Sequence, residues 1–308
     1  MSNESVHTAS AAEAEQFALE AGLSAGFAES FMRWYAPATA EVAHQTGGAV
    51  GTVFVGISGC QGSGKSTLAA LAGRVLAAVH ELNVAVLSLD DFYLTRSERR
   101  RLAADCHPLF ATRGVPGTHD TALLIETCEA MAAGQGRVRV PTFDKARDDR
   151  APVSEWPQYP APIDVVVLEG WCVGVVPQTQ DALAAPINAL EAEQDPDGRW
   201  RREVNRQLGA EYAEVFRRLD TLWCLQAPGF AAVTRWRWQQ EQALSRRFCL
   251  SHPDLDDPTM NEAEIDNFVR HFQRITEHAL DSLPDTADHV WRLADDRSVL
   301  SYQARAHI

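Results

Sequence analysis

The octet Gly59-Cys60-Gln61-Gly62-Ser63-Gly64-Lys65-Ser66 constrains this chain more than any other stretch. It has the form G-x-x-x-x-G-K-[ST], a P-loop, and its flanks are the ones that motif requires. The preceding residues 52–57 are β-branched and apolar and read as a buried strand. Residues 67–76 follow with helical spacing. Strand, glycine loop and helix in that order turn successive backbone N–H groups inward around phosphate oxygens, and the helix N-terminus adds partial positive charge. In such a loop Lys65 reaches the β- and γ-phosphates of a nucleoside triphosphate, and the Ser66 hydroxyl binds Mg²⁺. Residues 59–67, with Thr67 opening the helix, form the expected ATP-binding segment.

The rest of the chain supplies a frame for that loop. Its 308 residues suffice for one large core, or one core with a small appendage. Residues 11–44 are rich in alanine, glutamate and aromatics at roughly helical spacing. They predict a helical N-terminal extension over 1–48, closed by the linker Gln45-Thr46-Gly47-Gly48 and followed by a main domain over 49–308. Buried strands are predicted over 84–89, 164–169 and 221–225, with shorter candidates over 138–142 and 289–293. Helices are predicted over 121–132, capped by Asp120, over 232–248 and 262–280, and in a long stretch after Gly198 with Val204, Leu208, Tyr212 and Val215 on one face. Continuous apolar strands alternating with helices imply an α/β, three-layer fold: a mainly parallel sheet with helices on both faces.

The net charge of −14 argues against a nucleic-acid partner, and no apolar run has the length of a membrane span. Six cysteines without C-x-x-C spacing look like reduced residues of a cytoplasmic protein. Residues 1–10 are polar, without a signal-peptide pattern. Oligomeric state is not indicated.

In a doubly wound sheet, ligands gather at the carboxyl ends of the strands. Here the second strand ends in Asp90-Asp91 and the third in Glu169. Either group alone reads equally as a helix cap or a strand-end ion pair. Behind a P-loop, carboxylates at these points suit metal-bound water and acceptance of a proton from a hydroxyl. Two loops carry further charge. Arg113-Gly114-Val115-Pro116-Gly117-Thr118-His119-Asp120 is a glycine–proline turn, and residues 144–150 pack six charges into seven positions. The second is either a solvated loop or a site for an anionic substrate such as a carboxylate.

Together, the P-loop octet, Leu89-Asp90-Asp91-Phe92-Tyr93-Leu94, residues 113–120, Phe143-Asp144-Lys145 with Asp149-Arg150, Leu168-Glu169-Gly170-Trp171 and Trp236-Arg237-Trp238-Gln239-Gln240-Glu241 resemble the plant-type D-glycerate 3-kinases. That family belongs to the uridine kinase, phosphoribulokinase and pantothenate kinase group of P-loop kinases. The resemblance spans about residues 50–300. It implies ATP- and Mg²⁺-dependent transfer of a phosphoryl group to a hydroxyl of a small acid, D-glycerate above all. It implies Asp90 as the base, Lys65 and Glu169 as its catalytic partners, and Ser66, Asp90 and Glu169 as metal-facing groups. It places Asp91, Tyr93, Arg113, His119, Asp144, Lys145 and Arg150 toward the acceptor, and Arg237 and Arg246 as candidate lid arginines on phosphate. The linker Ala146-Arg147-Asp148 is shorter than in many relatives. Two rivals stay open: a kinase of the same group acting on a nucleoside or pantothenate-like compound, and an ATP-hydrolysing switch. The absence of Asn-Lys-x-Asp counts against a guanine-reading switch.

Overall fold

The computed structural model describes residues 2–251 and 259–305. Three helices come first: α1 (Asn3–Glu20), α2 (Ala25–Trp34) and α3 (Ala36–Gly48). Strand β1 (Val53–Gly59) runs through the P-loop into α4 (Lys65–His80), and β2 (Val84–Ser88) ends in a 3₁₀ turn over Leu89–Phe92. Next come α5 (Arg96–Asp105), α6 (Thr121–Ala133) and the short strands β3 (Gly136–Arg139), β4 (Phe143–Asp144), β5 (Asp149–Arg150) and β6 (Gln158–Ala161). After β7 (Val165–Gly170) the chain forms α7 (Ala189–Gln194), α8 (Arg199–Gln207), a π-helical turn over Leu208–Tyr212, and α9 (Ala213–Phe216). It closes with β8 (Thr221–Gln226), α10 (Phe230–Ser251), α11 (Glu262–Ser282), β9 (His289–Leu293) and β10 (Val299–Ala304).

The main sheet has six strands in the order β10-β9-β8-β1-β7-β2, all parallel except β10, which pairs antiparallel with β9. Every residue of β7 is buried. Its alternation explains why the run reads as continuously apolar: Val165 and Val167 join the core on one face, Val166 and Leu168 the core on the other. The first core is shared with α4 and α10 and also takes Ala14, Phe31 and Val42 from the three N-terminal helices. The second is shared with α6, α8 and α11. The predicted three-layer α/β fold is therefore the observed one.

Some details differ from the sequence reading. Gln45 to Gly48 are the last turn of α3 rather than a linker; Thr46 Oγ1 donates to the Val42 carbonyl 2.8 Å away, one turn back. The strand expected over 138–142 is displaced to Gly136–Arg139, and it pairs with β6 outside the main sheet. The sequence reading has no counterpart of β10: only Val299 and Tyr302 are half-buried against the core and the other four residues are exposed, so it carries no continuous apolar run. The irregular stretch 173–198 is held by two buried ion pairs, Arg201–Asp195 at 3.1 Å and Arg274–Glu191 at 2.6 Å.

Candidate active site

Sheet register brings the chemistry together. Ile57 lies opposite Glu169 on β7, and Glu169 lies opposite Ser88 on β2. The loop after β1, the end of β7 and the turn after β2 therefore meet at one edge of the parallel sheet. A cleft of about 510 Å³ opens there. Gln61, Gly62, Lys65 and Ser66 line it from the P-loop, and Asp90, Tyr93 and Glu169 from the strand ends.

The loop geometry suits phosphate. Gly62 and Gly64 adopt left-handed conformations, φ +78° and +93°, which a side chain resists. At Gly62 a Cβ would also come within 2.6 Å of the Trp236 Cβ, so only glycine lets α10 pack this close. Arg297, in the turn between β9 and β10, donates from Nε to the Gly62 carbonyl at 2.6 Å and lies over the Trp236 ring at 5.1 Å. Cys60 is buried beneath the loop, and burial holds its thiol up at about 12, so it stays a neutral packing group. Ser63 is buried as well, while Thr67 continues the first turn of α4.

Ser66 Oγ donates to Glu169 Oε1 at 2.7 Å, and Lys65 Nζ stands 3.8 Å from Glu169 Oε2. Glu169 Oε2 is buried and accepts no hydrogen bond. A hydroxyl and an under-satisfied carboxylate oxygen beside a phosphate loop are the oxygen donors a divalent cation takes when phosphates and water complete its shell. Among the described residues no cluster of three or more His, Cys, Asp or Glu could form an all-protein metal cage.

Asp90 occupies the turn after β2. Its Oδ1 accepts from the Tyr93 hydroxyl at 2.8 Å and its Oδ2 from Lys145 Nζ at 2.8 Å. Burial pushes this carboxyl up, but the Lys145 and Lys65 charges, the Lys145 hydrogen bond and His119 outweigh it and hold it at about 2. Tyr93 moves the other way: burial and the neighbouring Asp90 push its phenol far up, so it stays a donor.

Of the residues expected at the acceptor, Tyr93, Arg113 and Lys145 line the cleft. Asp91, His119, Asp144 and Arg150 build its frame. Asp91 accepts the Phe143 N–H at 3.1 Å, and burial raises its carboxyl. Asp144 accepts the N–H groups of Ala146 and Arg147 at 2.9 and 3.1 Å, turning the β4–β5 hairpin. Arg150 donates to the Tyr93 carbonyl at 3.0 Å and to Asp120 Oδ2 at 3.1 Å. His119 is buried beneath the site, stacked on Tyr93 at 4.4 Å, with Nδ1 2.5 Å from the Tyr212 hydroxyl; burial lowers it to about 4.

Helix α10 forms the outer wall. Arg237, Gln240, Leu244 and Arg247 recur at helical spacing along its cleft side. Arg237 is paired with Glu241 at 2.6 Å and lies 5.7 Å over the Phe268 ring of α11. Arg246 does not line this cleft. One residue is about 100° of helix, and Arg246 instead faces a groove with Trp238 and Asn261. Arg247, which the sequence reading did not name, lines the cleft instead; the helix phase fixed by Trp236 was the available signal. Five basic side chains and two carboxylates line the cleft of an otherwise acidic chain, a balance suited to a polyanion.

The sequence pattern of the phosphoribulokinase / uridine kinase family matches residues 54–195. The protein named uncharacterized kinase mug58, of Schizosaccharomyces pombe, is 37% identical over 229 residues, covering 71% of this chain and 78% of that one. The chloroplastic D-glycerate 3-kinase of Arabidopsis thaliana is 30% identical over 229 residues, covering 71% of this chain and 46% of that protein. Among solved structures, D-glycerate 3-kinase from Cryptococcus neoformans var. grubii shares the fold with a TM-score of 0.70 at 23% identity, over 87% of this chain and 96% of that one. Among the described residues no helix is long and apolar enough to cross a membrane.

Proposed function

Since this chain belongs to the phosphoribulokinase / uridine kinase family and is an ATP-dependent small-molecule kinase acting on a hydroxyl, we propose that its acceptor is a small hydroxy acid, D-glycerate, converted to 3-phosphoglycerate. The observation that carries this reading is the pairing of the candidate base with cations. Asp90 is held by Lys145, and Arg113 lines the same end of the cleft. A carboxylate bound there gains charge-assisted hydrogen bonds that a neutral nucleoside lacks. The Arabidopsis and Cryptococcus relatives named as D-glycerate 3-kinases support the same acceptor.

In this mechanism the P-loop amides and Lys65 cradle the β- and γ-phosphates. Ser66 and Glu169 would hold Mg²⁺, which neutralises charge on the phosphates when bound; Asp90, already engaged by Tyr93 and Lys145, faces the acceptor instead. The acceptor hydroxyl gives its proton to the Asp90 carboxylate as its oxygen bonds to the γ-phosphorus, and ADP leaves with the electron pair of the broken P–O bond. Tyr93 fixes the orientation of Asp90. Arg237 and Arg247 lie on the cleft side of α10 and would meet the charge of bound phosphates.

The test is acceptor-dependent ADP release by the purified protein across small hydroxy acids, nucleosides and pantothenate. Release with D-glycerate is expected, falling about a thousandfold in Lys65→Ala, as on loss of a major electrostatic stabiliser. Turnover with a nucleoside and none with any hydroxy acid would overturn the acceptor and leave the kinase chemistry standing.

A further inference from the structure

The charged loop between β4 and β5 contains one residue in a left-handed conformation, Asp148, at φ +53°. Its Oδ2 accepts from Arg99 Nη2 at 2.7 Å, its carbonyl accepts from the same nitrogen at 2.9 Å, and its Oδ1 accepts from Arg113 Nη1. Arg99 is 0% exposed. A guanidinium so buried requires a counter-charge, and Asp148 supplies it. Both guanidinium groups lie over the Phe143 ring, at 5.6 Å for Arg99 and 5.5 Å for Arg113. Two cations thus share one ring and one carboxylate. Arg99 is locked inside, whereas Arg113 borders the cleft and is partly exposed.

We propose that Asp148 is a positioning residue for acceptor recognition, bridging buried Arg99 to Arg113 so that the Arg113 guanidinium is held at the cleft wall. The proposal rests on the reading that the acceptor is a small carboxylate. Removing the Asp148 charge leaves two like charges on Phe143, and Arg113 is the one free to swing away. The hairpin itself has other anchors: Phe143 N–H on Asp91, Arg96 N–H on Asp149 at 3.1 Å, and Arg150 on Tyr93 and Asp120. These bonds, and the Arg99 bond to the Asp148 carbonyl, remain when the Asp148 charge is removed, so the effect of losing that charge falls on Arg113.

Asp148→Asn keeps the size, an acceptor oxygen and tolerance of the left-handed backbone while removing the charge. Steady-state kinetics on a cycle of Asp148→Asn, Arg113→Ala and the double variant test the coupling. The expected result is about a tenfold rise in acceptor KM for Asp148→Asn, an unchanged ATP KM, and no further rise when Asp148→Asn is added to Arg113→Ala. Additive effects, or an equal rise in ATP KM, would refute positioning through Arg113. A second readout does not depend on the acceptor. Phenylglyoxal should label Arg113 several-fold faster in Asp148→Asn than in the wild type, measured by peptide mass spectrometry; equal rates overturn the proposal even if wild-type turnover shows that the acceptor is not an acid. If Asp148→Asn fails to fold, Arg99→Met with Asp148→Asn removes the buried charge and its partner together, and the same labelling comparison is made on that protein.

Discussion

The buried His119 makes acid stability the most direct test of the frame beneath the site. Its ring is stacked on Tyr93 and bonded to the Tyr212 hydroxyl, its Nε2 has no partner, and burial lowers its titration from 6.5 to about 4 although the nearby Asp90 charge pulls the other way. The folded protein therefore refuses a proton that the unfolded chain accepts. This contribution is fully present above the unfolded value and is lost as pH falls from about 6.5 toward 4. The displacement corresponds to about 3 kcal/mol in all, with about 2 kcal/mol of it gone by about pH 5. His119→Gln keeps a polar group near the Tyr212 hydroxyl but does not titrate. Urea unfolding of both proteins without nucleotide, from pH 8 to 5, gives the difference directly. His80 and His271, which burial also lowers, act equally in both proteins and cancel. The substitution brings a pH-independent offset, and above it the wild type should lose about 2 kcal/mol more than the variant by about pH 5. Parallel stability–pH curves would refute the claim that His119 is kept neutral by burial.

Two further outcomes follow from the same geometry. Asp90→Asn keeps the size and one acceptor oxygen, which Tyr93 can use, but loses the charge that Lys145 pairs with and cannot take the hydroxyl proton, so kcat should fall about 10²–10⁴-fold with nucleotide affinity nearly unchanged; full activity there together with a dead Asp91→Asn would move the base to Asp91. Gly62→Ala places a Cβ 2.6 Å from the Trp236 Cβ at a φ of +78°, so ATP KM should rise well above acceptor KM in steady-state kinetics, and an unchanged ATP KM would remove α10 packing from the account of the loop.

The phosphate half of this site was legible because each of its parts is encoded locally. The P-loop lies between a buried strand and a helix, and Glu169 ends a strand buried on both faces, so the apolar pattern names the strand and the strand end names the carboxylate. The acceptor half is encoded by contacts between distant segments. Asp91, Asp144 and Arg150 carry the residue types of a binding site, yet their partners are the backbone of Phe143, of Ala146 and Arg147, and of Tyr93. No periodicity distinguishes a charge facing ligand from one closing a hairpin. Arg247 rather than Arg246 faces the cleft because the two stand one residue apart on α10, whose phase is fixed by Trp236 packed on Gly62. The N-terminal helices were legible as helices but not as a wall of the core, because Ala14, Phe31 and Val42 mean nothing until α4 is placed against them.

The two halves also differ in how they should respond to change. The phosphate loop is pinned from three directions: by β1 and α4 through the chain, by Trp236 packing on Gly62, and by Arg297 on the Gly62 carbonyl. A turn held by several contacts keeps its shape when one contact is lost, so removal of a side chain there acts mainly through charge, whereas a Cβ added at Gly62 acts through the packing on Trp236 itself. The β4–β5 hairpin is only two residues wide on each strand and owes its place to ion pairs and side-chain-to-backbone bonds. It carries Lys145 to Asp90 and Asp148 to Arg113, so moving it alters the setting of the base and a cationic group of the cleft together. On the proposed reading, a change in the length or charge of this hairpin should therefore move acceptor KM and leave ATP KM unchanged.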